Sequence, residues 1–105
     1  MSELNLNGQI FQLDDKGYLV DFSAWNRDLA TALATSDGIT ALDSDHWRVI
    51  EFLREYQQGH GVAPMIRVLC KGTGCSLQQI YDLFPLGPAK GACRVAGLPR
   101  PDSCV

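Results

Sequence analysis

The segment Gly97-Leu98-Pro99-Arg100-Pro101 limits what the end of this chain can become. A glycine can close a helix by taking the left-handed conformation, and each proline lacks an N–H and biases its predecessor toward extended backbone. A helix running through Cys93 therefore stops at about Ala96, and a semi-rigid extended arm follows. The seven residues from Leu98 to Cys104 reach roughly 20 Å at about 3.1 Å each, enough to enter a cleft in another protein.

The arm carries one thiol near its tip, the penultimate Cys104, and a second, Cys93, at its base. Two thiols on so short a tether meet at an effective concentration on the order of millimolar, comparable with a cytosolic thiol pool. Chain entropy stabilises so small a ring by less than about 3 kcal/mol, so a bridge between them is reversible rather than structural. An ordinary cysteine is mostly protonated at neutral pH, and the carboxylate just beyond Cys104 disfavours ionisation further. Thiol exchange then calls for a nearby cation. The candidates are Arg94 and Arg100 by proximity, Lys90 on the helix of Cys93, and Arg67, which is embedded in an apolar helix. For each of the four taken singly a solvated charge is the commoner role, and Arg67 is the strongest functional candidate among them.

The chain has 105 residues, 46% of them hydrophobic, which suffices for one ordinary core without disulfide support. A single domain over residues 1–105 is expected, with the mobile arm at about 97–105. A net charge of -3 with no run of Lys or Arg argues against a nucleic-acid binder that works by neutralising phosphates. No apolar run has membrane-spanning length, and the N-terminal residues have neither the basic start nor the apolar stretch of a signal peptide, so the expected location is cytoplasmic. On that reading the four cysteines are thiols, redox centres or ligands rather than a disulfide framework.

Asn7-Gly8 between partly alternating segments predicts a hairpin with strands at about 3–6 and 9–13, and Tyr18-Leu19-Val20 can add a short third strand. Ser23 is a candidate cap for a helix to about Thr35 with Trp25, Leu29, Ala32 and Leu33 on its buried stripe. Asp43-Ser44 opens a helix to about Gln58, ended by Gly59, with Trp47, Ile50, Phe52 and Leu53 toward the core. Pro64 begins a third helix, Met65 to about Lys71, closed by Gly72 and Gly74. Ser76 with Gln79 is a capping-box pattern for a helix to Phe84, and Pro88 starts a fifth helix to about Ala96. The expected class is α+β: a small N-terminal β-hairpin packed on a bundle of about five short helices, with an extended C-terminal arm.

The helices on either side of Cys70-Lys71-Gly72-Thr73-Gly74-Cys75 could form a DNA-reading helix-turn-helix, but Ser76 to Phe84 holds no Lys or Arg for phosphates, and the structural reading is preferred. The spacing of Cys70, Cys75, Cys93 and Cys104 matches neither zinc ribbons nor ferredoxins, so no metal is assigned; Cys70 and Cys75 remain a possible secondary redox pair or small core residues. His46 and His60 form no protease-like arrangement with a cysteine; His46, in the first turn of a helix, reads as a surface or packing residue.

The sequence resembles the DsrC/TusE family of small sulfur-carrier proteins, which includes the gamma subunit of dissimilatory sulfite reductase and the TusE member of the tRNA thiolation relay. The resemblance covers nearly the whole chain. It rests on Gly17-Tyr18-Leu19, Trp25, His46-Trp47, Phe52-Leu53-Arg54, Ala63-Pro64, Ile66-Arg67-Val68-Leu69, Leu83-Phe84-Pro85, Gly87-Pro88-Ala89-Lys90, and Ala96-Gly97-Leu98-Pro99-Arg100-Pro101 with Cys104-Val105. It implies that Cys104 is the sulfur-carrying cysteine, as a persulfide or through a trisulfide, and that Cys93 is its partner, a residue typical of DsrC-type members and absent from most TusE-type ones. The implied partners are a DsrAB-like sulfite reductase and other sulfurtransferases of the TusBCD or DsrEFH kind, with no cofactor. The chain departs from most members between Lys71 and Tyr81, where it is shorter and carries Cys70 and Cys75 nearby. The expected function is sulfur transfer linked to dissimilatory sulfur metabolism, by a carrier rather than a stand-alone turnover enzyme. The alternatives are a redox-responsive regulatory paralogue associated with DNA, or a TusE-like protein of tRNA thiolation.

Overall fold

The computed structural model describes residues 2–99. Strands β1 (Ser2–Leu6) and β2 (Gln9–Leu13) form an antiparallel hairpin in which Leu4 pairs with Phe11 and Ser2 with Leu13. Asn7 and Gly8 both have positive φ, 51° and 88°, as a two-residue turn of this hand demands. Leu4, Phe11 and Leu13 share one face of the ribbon and lay it on the helices. The third strand expected at Tyr18-Leu19-Val20 reduces to a single bridge from Leu19 to Leu13. Asp14 is the reason: its carboxylate accepts the N–H groups of Lys16 and Tyr18 and curls this stretch into a tight turn.

Four α-helices follow: α1 (Arg27–Ser36), α2 (Ser44–His60), α3 (Ile66–Thr73) and α4 (Leu77–Leu83), then a π-helical segment, Pro88–Cys93. The helix expected from Ser23 is instead two pieces. Asp21 caps a 3-10 turn, Phe22–Ala24, and Asn26 caps α1 by accepting the N–H of Leu29 at 2.8 Å. Trp25 lies between them in extended backbone, outside the stripe assigned to it, while Leu29, Ala30, Leu33 and Ala34 form the buried face of α1.

Helix α2 is the centre of the body and contacts both α3 and the π-helical segment. It runs past Gly59 and ends at Gly61, whose positive φ closes the helix. Its buried residues are His46, Val49, Ile50 and Leu53, with Trp47 and Phe52 only partly covered. His46 is a structural residue: Nδ1 accepts the N–H of Asp43 in a capping box, and Nε2 lies 2.8 Å from the carbonyl of Leu83, its ring edge-on to Phe84. Gly72, expected to end α3, lies inside it. A Cβ there would come within 2.2 Å of the Phe52 ring, so this glycine sets how closely α2 and α3 approach. The core joins Phe11 and Leu19 to Leu29, Ile50, Leu53, Leu69, Ile80 and Phe84, and extends through Cys93, Val95 and Leu98. Among the described residues no helix is long and apolar enough to cross a membrane.

Candidate functional site

The last described helical segment ends in a short, heavily bonded corner. The N–H of Leu98 bonds to the carbonyl of Cys93 at 3.1 Å and that of Gly97 to the carbonyl of Arg94 at 3.1 Å. This is the paired closure of a Schellman motif, with Gly97 at φ 77° in the left-handed position and Leu98 and Cys93 both buried. Gly97 and Leu98 therefore belong to the packed body; the rest of the arm expected at about 97–105 lies, beyond Pro99, outside the described residues.

Two carbonyls at this corner are closed from far along the chain. The indole N–H of Trp25 donates to Val95 at 3.0 Å, and Arg54 donates to Ala96 at 2.9 Å and to Phe22 at 3.0 Å. The Arg54 guanidinium lies over the rings of Phe22, at 3.9 Å, and Trp25, at 4.2 Å. Burial lowers its pKa from the usual arginine value, and a cation facing helix-end carbonyls is stabilising. Gly97 is required here twice over, because a Cβ would also fall 2.4 Å from Cδ1 of Trp25.

Cys93 ends the π-helical segment with no exposure to solvent, and its sulfur is free. Desolvation alone pushes its pKa up to about 12. At neutral pH the thiolate fraction is then on the order of one in a hundred thousand, so Cys93 rests as a thiol.

The cations singled out in the sequence occupy different places. Arg94 forms a buried ion pair with Asp37, and its Nε donates to the carbonyl of Lys90 at 3.2 Å. Burial raises the pKa of Asp37 more than Arg94 lowers it, and Asp37 Oδ2 has no hydrogen-bond partner among the described residues. Lys90 is exposed and, with Arg94, Lys16, Tyr18 and Leu86, lines a cavity of about 370 Å³. Arg67 is exposed on α3 rather than held in an apolar setting. Cys70, half-buried, and Cys75, buried, are both free and flank the turn after α3, where the N–H of Gly74 bonds to the Cys70 carbonyl. No group of three or more metal-binding side chains occurs among the described residues. Arg100 and Cys104 lie outside the described residues.

The residue that reading the sequence passed over as part of the site is Arg54. A signal existed: it lies four residues after the buried Ile50, where an arginine sits at the margin of a core stripe and needs acceptors. Asp37, just past the end of α1, gave no such signal.

The family described as DsrC like protein matches residues 5–105. The chain belongs to that family. The gamma subunit of dissimilatory-type sulfite reductase from Nitratidesulfovibrio vulgaris is 43% identical over 105 residues, covering 100% of both chains. The sulfurtransferase TusE of Pectobacterium atrosepticum is 39% identical over 109 aligned positions, covering 97% of this chain and 99% of that one. That alignment is longer than this chain, so the TusE protein carries residues this chain lacks; the gamma subunit shows no such difference. Among solved structures, dissimilatory sulfite reductase I superposes with a TM-score of 0.93 at 43% identity, covering 99% of this chain and 100% of that chain. The oxidized gamma subunit (DsrC) from Archaeoglobus fulgidus superposes with a TM-score of 0.86 at 44% identity, with the same coverage. The α+β fold of this DsrC-like chain is thus the fold of those proteins.

Proposed function

We propose that this protein is a sulfur carrier that takes up sulfane sulfur on Cys104, as a persulfide or through a trisulfide, and uses Cys93 as the partner thiol. The observation that carries the reading is the fixed corner at Val95 to Leu98, which holds a protonated Cys93 buried in the body eleven residues before Cys104. Such an arrangement separates roles. A thiol outside the core can exchange with a partner, while one inside is kept from reacting until it is reached. Family membership and a gamma-subunit relative of matching length support a DsrC-type carrier over a TusE-type one. The proposed partners are a sulfite reductase of the DsrAB kind and other sulfurtransferases, in the cytoplasm. A DNA-reading role is not favoured, since α4 carries no Lys or Arg.

Intact-mass measurement after incubation with a persulfide donor tests the reading. Wild type is expected to gain sulfur and Cys104→Ser to gain none, with Cys93→Ser still loaded but unable to pass to a bridged form. An adduct undiminished in Cys104→Ser would remove the basis for the assignment.

A further inference from the structure

Two of the chain's three lysines, Lys16 and Lys90, line one cavity of about 370 Å³ together with Arg94, Tyr18 and Leu86. They come from opposite ends of the chain: Lys16 from the turn after β2, Lys90 from the π-helical segment that Arg94 caps. Gathering like charges costs Coulomb energy, which a bound anion would recover. The carboxylates nearby are committed elsewhere. Asp14 accepts the N–H groups of Lys16 and Tyr18, and Asp37 is paired with Arg94. Among the described residues no carboxylate lines the cavity, and neither lysine has an ion-pair partner.

Arg94 is the fixed member of the three. Its side chain is only 14% exposed; Nε donates to the carbonyl of Lys90 at 3.2 Å, and Nη2 donates to Asp37. Those two bonds set the guanidinium plane and leave Nη1 without an acceptor among the described residues. Gly17, at φ 86°, passes beside it with no side chain, and a Cβ there would lie 3.8 Å from Nη1. A planar donor group oriented by a buried carboxylate is suited to an oxyanion, whose oxygens match the spacing of its N–H groups. Lysine and arginine donate hydrogen bonds and cannot accept them, so the complementary ligand is one that only accepts.

We infer that this cavity binds a small divalent oxyanion of the sulfate, sulfite or phosphate kind, with Nη1 of Arg94 as the oriented donor and Lys16 and Lys90 as exposed charges around it. The site uses neither Cys93 nor Cys104, so it stands or falls apart from the carrier reading.

The test is an amide NMR titration of the reduced full chain with sodium sulfate, and separately with sodium phosphate, each replacing chloride at constant ionic strength. Saturable shifts centred on Gly17, Gly91 and Arg94 are expected, with a Kd of about 1 mM; the tighter of the two anions tells whether sulfur or phosphorus oxyanions are preferred. Lys16→Ala with Lys90→Ala, at two exposed positions that the fold does not need, should weaken binding about tenfold. Arg94→Lys keeps the charge but loses the planar fork and should also cost about tenfold. Lys71→Ala removes an exposed lysine on α3, outside the cavity, and should leave the affinity unchanged. Shifts that grow without saturating, an affinity equal to wild type in the lysine double variant, or an equal loss in Lys71→Ala overturn the site. An affinity that survives Arg94→Lys overturns Arg94 as its oriented donor.

Discussion

Two corners of this molecule place a cysteine beside a left-handed glycine, and they are built differently. At the α3–α4 corner Gly74 has φ 74° and Cys75 follows it; the N–H of Gly74 bonds to Cys70, and Ser76 and Gln79 cap α4 reciprocally at 2.7 and 3.1 Å. Every one of those partners lies within five residues. At the corner that follows Cys93, Gly97 has φ 77°, but two of its helix-end carbonyls are closed by Trp25 and Arg54, 70 and 42 residues away. The first corner is a self-contained turn. The second ties the end of the last helix, and the thiol behind it, to α2 and to the break before α1, so a disturbance there is felt across the body.

The largest expected contrast between the corners is in their glycines. Gly97→Ala combines a strained φ with a Cβ 2.4 Å from Trp25 and is expected to cost about 3 kcal/mol or more, or to prevent folding. Gly74→Ala has nothing within 4 Å of the new Cβ and should cost only about 1 kcal/mol, the conformational penalty. Urea unfolding of both variants checks this; equal costs would erase the distinction between the corners.

Next in size is the alkaline limb of stability. The folded-state pKa of Cys93 is raised, so the stability it contributes is fully present below about pH 9 and is lost as the pH climbs toward 12. Cys93→Ala should flatten that limb, by about 1.4 kcal/mol per pH unit across the window. A stability profile unchanged by Cys93→Ala above pH 9 would mean that its thiol is solvated.

The smallest contrast sets a distant cap against a local one. Arg54→Met leaves the Ala96 and Phe22 carbonyls without their donor and should cost about 2 kcal/mol. Gln79→Ala opens one side of a capping box on an exposed turn and should cost about 0.5–1 kcal/mol. Hydrogen exchange adds a sharper reading: Arg54→Met is expected to speed exchange at Gly97 and Leu98, whereas Gln79→Ala is expected to leave them unchanged.

Much of the fold was legible because the relevant partners are close in sequence. Asn7-Gly8, Asp43-Ser44, Ser76 with Gln79, and Gly97 before Pro99 each carry their own local chemistry, and each appears where the sequence places it. The misplacements share one cause, a competing local bond. Asn26 captured the cap assigned to Ser23, and the Asp14 carboxylate turned the stretch expected to be a third strand. Arg67 looked buried because its neighbours are apolar, yet it faces outward, since helical periodicity turns Leu69 rather than Arg67 to the core.

Composition and local pattern by themselves determined a small α+β body whose last helix must end at Gly97, with Cys93 inside that helix and a second cysteine past two prolines. Only the tertiary structure decided that Cys93 is a fully buried, protonated thiol, that Arg54 and Trp25 clamp the carbonyls of Ala96 and Val95, and that Arg94 belongs to Asp37. The division is physical: backbone conformation answers to a residue and its near neighbours, whereas desolvation and the choice of a distant hydrogen-bond partner exist only once the chain has closed on itself.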